Sequence, residues 1–359
     1  MQPPIGEQAL EDQDFQAGLE NCVRECIGRE DVAPYAVNEA MIGMWADALL
    51  DDNPVYMDAA AARATGRPGV IAPPTMIQAW TMPELSRMAR GAKDVPGFAP
   101  YLRPESVAQR AEEFAKIYGV LAERGFTNSL ATNCRQTYHR ELALGDRVRC
   151  ISTVEAVSTQ KRTAMGVGHF VTTRLEYLDQ ERRPVATQLW TFLRFRTPEN
   201  AALVQSGAAT AVAPVVDHSF TAEASALIGP PRTGMTTAAT VIPITPTFVA
   251  ATAFATRDFY AIHHDPDWAR SIGRPNIFSN ILTTTGLVGG VFTRWGGPAV
   301  RLRALDLRLL VPNYPGDELT LRGVVTAVDG EDVTLRVTGV NRLGTHVEAV
   351  VTGTIPAER

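Results

Sequence analysis

The sequence predicts an α+β protein built twice over, each half an antiparallel sheet wrapped around one helix. Three observations carry this expectation. The chain repeats itself at a long offset. Each copy runs in the same order, helix first and strands after, the pattern of a sheet layered on a helix. The 359 residues are 45% hydrophobic and 20% charged, the composition of a globular chain with a sizeable core.

The repeat is read by setting 46–68, "ADALLDDNPVYMDAAAARATGRP", on 253–275, "AFATRDFYAIHHDPDWARSIGRP". At this offset of 207, the shared residues are Ala46/Ala253, Ala48/Ala255, Asp51/Asp258, Asp58/Asp265, Ala62/Ala269, Arg63/Arg270, Gly66/Gly273, Arg67/Arg274 and Pro68/Pro275. Composition alone gives roughly one or two identities in such a window. A second match pairs "LGDRVRCISTVEAV" (144–157) with "PGDELTLRGVVTAV" (315–328) at an offset of 171. The first half therefore carries 36 extra residues (207 − 171), around 88–119. Duplication is the simplest account.

The elements follow in order. Asn38 and Thr245, also 207 apart, are good helix N-caps. Each precedes apolar residues at helical spacing: Met41, Trp45 and Ala48, then Phe248, Thr252 and Ala255. The helix exits at the Asp turn, and a short helix crosses to the Gly-Arg-Pro turn. A longer apolar segment comes next, 72–89 in one half and 279–292 in the other. Strands close each half: 147–157, 163–178 and 186–195 first, then alternating Leu319/Leu321 and Val333/Leu335/Val337. The domains expected are 1–198 and 217–359, joined by an Ala-rich linker at 199–216. Two such units packed side by side cover each other's open sheet edges.

Bulk properties exclude several functions. A net charge of −5 and a pI near 5.8, with no basic run, argue against nucleic-acid coating. No stretch reaches the roughly 18 apolar residues of a membrane helix. The acidic opening "MQPPIGEQALEDQDF" is no secretory signal. The four cysteines form no Cys-x-x-Cys pair, which favours reduced thiols in a cytoplasmic chain.

The chemistry concentrates at "RDFYAIHHDP" (257–266). His263, His264 and Asp265 are consecutive, so their side chains do not converge readily on one metal ion. No Gly-x-Ser-x-Gly elbow is present, and Cys134 and Cys150 have no local activating motif. Asp258 and His263 lie five residues apart across a helix exit. That spacing suits a carboxylate and an imidazole flanking one water. It equally suits a surface turn in which Asp258 caps backbone amides. The start of the apolar helix near Ser279 and Asn280 offers N–H groups to a developing anion. Trp45, Trp80, His139 and His169 read as core or strand residues. Arg301 and Arg303 read as a solvated strand end, with CoA phosphates as the alternative.

The run from Asp258 to His263, followed by Gly-Arg-Pro and an apolar helix, resembles the MaoC-like enoyl-CoA hydratases. Their Asp-x-Asn-Pro-x-His motif survives here as Asp258 and His263, with Tyr260 and Ala261 at the Asn and Pro positions. The upstream copy keeps Asp51, Asn53 and Pro54 but has Tyr56 for the histidine. More narrowly, "RDFYAIHHDP", "IFSNILTTTGLVG" and "VPNYPGDELT" resemble the catalytic subunit of bacterial steroid side-chain hydratases. Stretches of the first half resemble the non-catalytic subunit. The resemblance implies a double hotdog fold, with a degenerate first half that shapes the pocket. It implies hydration of a trans-2-enoyl-CoA, a bulky steroid thioester in the first instance. An ordinary fatty enoyl-CoA and an inactive acyl-CoA-binding protein are the alternatives. His263 is then the base, Asp258 the orienter or proton carrier, and the Asn280 backbone N–H, with Ser279 beside it, the oxyanion donor. No cofactor is implied, since CoA belongs to the substrate. A homodimer of double-hotdog chains is expected. An aldolase or thiolase would act downstream, without a docking domain here to hold it.

Overall fold

The computed structural model describes residues 5–26, 28–82, 112–163, 165–196, 221–222, 227–271 and 273–356. Twelve described strands form one antiparallel sheet. They are β1 (Arg29–Val32), β2 (Asn128–Tyr138), β3 (Arg149–Val157), β4 (Lys161–Thr163), β5 (Gly166–Leu178), β6 (Pro184–Arg196), β7 (Thr221–Ala222), β8 (Thr240–Ile244), β9 (Arg301–Leu309), β10 (Asp317–Asp329), β11 (Asp332–Asn341) and β12 (Gly344–Thr354). The order across the sheet is β1-β3-β5-β6-β2-β9-β12-β11-β10-β8-β7, with β4 beside β5. Strands of the first half therefore fill one side, and strands of the second half fill the other. They meet at a single seam, where β2 pairs with β9 from Asn133↔Arg308 to Thr137↔Ala304. The expected linker, 199–216, lies outside the described residues, as does most of the extra segment near 88–119.

The helices are α1 (Ile5–Arg24), α2 (Glu39–Leu49), α3 (Ala59–Ala64), α4 (Glu112–Glu123), α5 (Pro246–Ala255), α6 (Pro266–Ser271) and α7 (Ile281–Gly296). Asn38 accepts from Met41 N at 2.9 Å and Thr245 from Phe248 N at 3.0 Å, so both expected N-caps are in place. Helix α7 is the axle of the second half. Every residue along it except Arg294 is buried against the surrounding strands and the first half. At the matching place the described residues of the first half include a 3₁₀ stretch, Pro74–Trp80. Trp45 and Trp80 are both 1% exposed, so both are core.

The duplication is visible bond by bond. Leu50 and Arg257 are both left-handed, at φ 56° and 59°. A left-handed residue ends a helix and swings the chain back. The next amide then returns to the helix, Asp51 N to Ala46 O and Asp258 N to Ala253 O, each at 2.9 Å. One 3₁₀ turn follows in each copy, Pro54–Tyr56 and Ala261–His263. Gly66 and Gly273 take φ of 75° and 80° in the two Gly-Arg-Pro turns, a region where a side chain is strained.

Two features were not legible in advance. The acidic N-terminus contains α1. Its Leu19 packs on Ile117 and Leu121 of α4, on Phe126, and on Val154 and Val171 of the sheet, a second and smaller core. Helix α4 is the described end of the extra segment, so that part of the insertion covers the outer sheet. His139 lies just past β2 rather than within it.

The halves pack closely at Gly286 of α7. A Cβ there would stand 2.0 Å from Leu49 Cδ2 and 3.0 Å from Trp45 Cζ2. Gly286→Ala is expected to destabilise the chain by about 1–3 kcal/mol, the usual cost of overpacking. Urea unfolding of the variant against the wild type measures it.

Candidate active site

Asp258 reaches the site because α5 stops at Ala255 and Arg257 turns the chain. One carboxylate oxygen, Oδ1, faces the Tyr260 amide at 3.4 Å. The other, Oδ2, lies 3.5 Å from His263 Nε2. His263 is buried, with 7% of its surface exposed. Its Nδ1 donates to Phe278 O at 2.7 Å. A carbonyl only accepts, so the ring proton sits on Nδ1 and the Nε2 lone pair is left for Asp258's side. At 3.5 Å, a lone pair and a carboxylate oxygen make no hydrogen bond with each other. The pair instead presents two acceptors to a common donor.

Burial pushes the His263 imidazole below its usual range, while Asp258 and the Phe278 carbonyl pull it upward. The net direction leaves it neutral at pH 7. His264, by contrast, turns away and meets Phe259 O at 3.1 Å, so the adjacent histidines do not converge.

The Phe278 bond also brings the imidazole beside the start of α7. Ser279 and Asn280 are buried there, yet they differ. The Ser279 amide donates to Asn313 O at 3.1 Å. Its first-half counterpart, Ala72, makes the same bond to Leu142 O at 2.9 Å. Ser279's N–H is thus committed to the fold and is not a free donor; its hydroxyl has no partner among the described residues. Asn280 is the N-cap of α7. Its Oδ1 accepts from Thr283 N at 2.7 Å and its Nδ2 donates to Thr256 Oγ1 at 2.8 Å. Its own backbone N–H has no acceptor among the described residues. Like the first N–H groups of any helix, it is available to an anion and favoured by the helix dipole.

Three residues that sequence reasoning missed hold this arrangement. Thr256, at the end of α5, donates to Ala253 O at 3.0 Å while accepting from Asn280. It ties the turn that carries Asp258 to the helix that carries the amide. His346 links its Nδ1 to Val311 O at 2.6 Å and its Nε2 to Thr284 Oγ1 at 2.9 Å. Thr284 lies one turn into α7, with its hydroxyl 3.4 Å from Asn280 O.

The first half keeps the carboxylate, as Asp51, but has different residues at three other positions of the site. Tyr56 stands where His263 does, buried, with its phenol held well above 10 chiefly by that burial. Leu49 stands where Thr256 does. Pro73, which has no N–H, stands where Asn280 does. The last two were readable by extending the alignment at the offset of 207.

The remaining candidates have structural duties. Arg301 donates to Glu141 Oε2 at 2.8 Å and Thr65 O at 3.0 Å, and Arg303 to Thr354 Oγ1 at 3.1 Å. The Cys134 thiol is pushed up to about 12 by burial, which removes it as a nucleophile. His169 faces Ser158 O in the outer sheet. Among the described residues, no helix is long and apolar enough to cross a membrane.

Residues 26–188 match the family model described as the FAS1-like dehydratase domain region. The chain is 50% identical over 106 residues to the 3-oxo-4,17-pregnadiene-20-carboxyl-CoA hydratase beta subunit of Mycobacterium tuberculosis, covering 82% of that protein. It belongs to the MaoC-like enoyl-CoA hydratase family. A probable enoyl-CoA hydratase alpha subunit from Thermomonospora curvata is 38% identical over 215 residues, 59% of this chain. The chain spans 62% of that relative's length. Among solved structures, a MaoC-like dehydratase matches 93% of this chain with a TM-score of 0.64 at 19% identity. A Mycobacterium tuberculosis protein described as a double hotdog matches 91% of it with a TM-score of 0.55 at 15% identity. The fold is a double hotdog of the MaoC-like kind, in one chain.

Two pH effects follow. NMR titration of His263 is expected to give a pKa below 6.5, and Asp258→Asn is expected to lower it further, because the carboxylate favours the imidazolium. Stability is expected to fall on acidification. Burial pushes His346 down to about 4, so the unfolded chain takes up a proton from about pH 6.5 while the folded chain refuses it until about 4. Stability is full above that window and drops through it by about 3 kcal/mol for His346. Urea midpoints at pH 7 and pH 4.5 read the loss.

Proposed function

We propose that the second half hydrates a trans-2-enoyl-CoA thioester to a 3-hydroxyacyl-CoA, with a bulky steroid side chain as the acyl group. The observation that carries this reading is the pairing of two acceptors, Nε2 and Oδ2, with an unengaged amide at the nearby helix start. A water donating one hydrogen to each acceptor is oriented with its lone pairs outward. As its oxygen adds to the β-carbon, Nε2 takes a proton and the neighbouring carboxylate stabilises the imidazolium. Negative charge develops on the thioester oxygen, which the Asn280 N–H and the α7 dipole meet. The imidazolium then returns a proton to the α-carbon, directly or through Asp258.

The steroid character rests on the relatives, two of which are named pregnadiene-carboxyl-CoA hydratase subunits, beta and alpha. In this reading the first half, stripped of its histidine and its amide, serves as a wall of the acyl site. The linker at 199–216 separates the two domains. Two chains pair through the short edge strands β1 and β7, leaving no open sheet edge.

The test is mass spectrometry of products from steroid and short-chain enoyl-CoA substrates. Turnover of the steroid thioester is expected. His263→Ala and Asp258→Asn are expected to slow it by roughly 10² to 10⁴. Turnover of short-chain substrates alone would shift the substrate to fatty thioesters, and full activity in either variant would remove that residue from the reaction. A second comparison isolates the amide. Asn280→Ala keeps the N–H and loses the cap, whereas Asn280→Pro copies Pro73 and loses both. The proline variant is expected to fall about 10² to 10³ below the alanine variant in kcat.

A further inference from the structure

The two copies of the Asp turn differ in how the 3₁₀ turn after it is held. In the first half Asn53 accepts from the Val55 amide at 3.3 Å and caps the turn, and Pro54 opens it. At the offset of 207 the second half has Tyr260 and Ala261. Its turn has no side-chain cap. The backbone is nonetheless the same, with Tyr56 N to Asn53 O at 3.1 Å and His263 N to Tyr260 O at 3.0 Å. A position suited to a capping asparagine therefore carries a ring that does not cap the turn. A local rule broken in this way is characteristic of a functional position.

The ring packs on His263 instead. Tyr260 and the imidazole meet edge to face, with centroids 6.3 Å apart and planes at 70°. Phe278 meets the same imidazole at 5.3 Å and 81°. Trp268 of α6 backs Tyr260 at 5.0 Å and 72°. These separations and angles are those at which aromatic rings attract. Tyr260, 46% exposed, is the solvent-facing member of the set. The repeat partners of Tyr260, Trp268 and Phe278 are Asn53, Ala61 and Ile71. The half with the imidazole has the three rings, and the half with Tyr56 has none of them.

The packing bears on the rotation of the imidazole. A half-turn about χ2 leaves its outline almost unchanged but puts carbon atoms where Nδ1 and Nε2 stand. That turn loses both the bond to Phe278 O and the lone pair facing Asp258. Rings set nearly perpendicular to the imidazole oppose it sterically.

We propose that Tyr260, backed by Trp268, is a positioning residue: with Phe278 it clamps the His263 imidazole and fixes its rotation, so that Nε2 stays on the side of Asp258. The effect on rate rests on the hydratase reading above; the clamp itself rests on the ring geometry.

The test gives the second half the residue of the first. Tyr260→Asn supplies a cap and removes the ring, so its urea midpoint is expected to equal or exceed that of the wild type. Its kcat on the enoyl-CoA is expected to fall about tenfold, the scale of one aromatic edge contact, with KM within about twofold. Tyr260→Phe keeps the ring and is expected to rescue kcat. A wild-type kcat in the asparagine variant, an equal loss in the phenylalanine variant, or a change in KM alone would overturn the clamp. A urea midpoint below the wild type's overturns it as well, since the ring would then be holding the fold. A second readout needs no turnover. By NMR, the His263 Nδ1 proton, held by Phe278 O, is expected to exchange with water about tenfold faster in Tyr260→Asn than in the wild type, and at the wild-type rate in Tyr260→Phe. Should the wild type turn over no thioester, this faster exchange still supports the clamp, and unchanged exchange refutes it.

Discussion

The antiparallel pairing of β2 with β9 is the constraint on which the rest of the structure depends. Each half alone would expose the backbone N–H and C=O groups of that strand, an open template for pairing. Joined there, the two sheets become one, and neither strand is an edge. The join fixes how α2 and α7 meet, so tightly that only glycine fits at 286. It also sets which side chains of the first half can reach the second.

Around that frame the halves have diverged by subtraction. The backbone hydrogen bonds of the Asp turn are the same in both, residue for residue. What differs is chemistry. One half keeps a titratable ring, a hydroxyl and an amide at three repeat positions; the other has a phenol, a leucine and a proline. None of the three replacements disturbs the local fold, since proline suits the N-cap and a buried tyrosine fills the histidine's space. The first half therefore keeps its part in the core without the imidazole, the hydroxyl and the free amide of the second. The same logic runs in reverse at the Gly-Arg-Pro turns. There the first half gained a carboxylate, Glu141, and with it a structural lock.

In the second half the Asp258–His263 pair and the start of α7 are held together by buried polar links. Asp258 and His263 are close in sequence, but the amide is not. Thr256 and His346 bind the start of α7 to the α5 exit and to the loop after β9. Both links are buried, where a satisfied hydrogen bond is strong and a broken one is costly. They hold the Asn280 amide at a fixed distance from the His263 ring.

The sequence by itself determined the duplication, the helix caps, most strands, and the dyad with its degenerate copy. These rest on short-range patterns: identical turns at one offset, apolar periodicity, a five-residue spacing. Only the tertiary structure decided which amide is free. Ser279 and Asn280 are neighbours with similar capping chemistry, and the difference between them is a bond to Asn313, distant in the chain. It alone paired Arg301 with Glu141, because that outcome depends on which strands become neighbours across the seam. It also turned an acidic N-terminus into a helix, since α1 is held by packing on α4 and the sheet rather than by any strong pattern of its own.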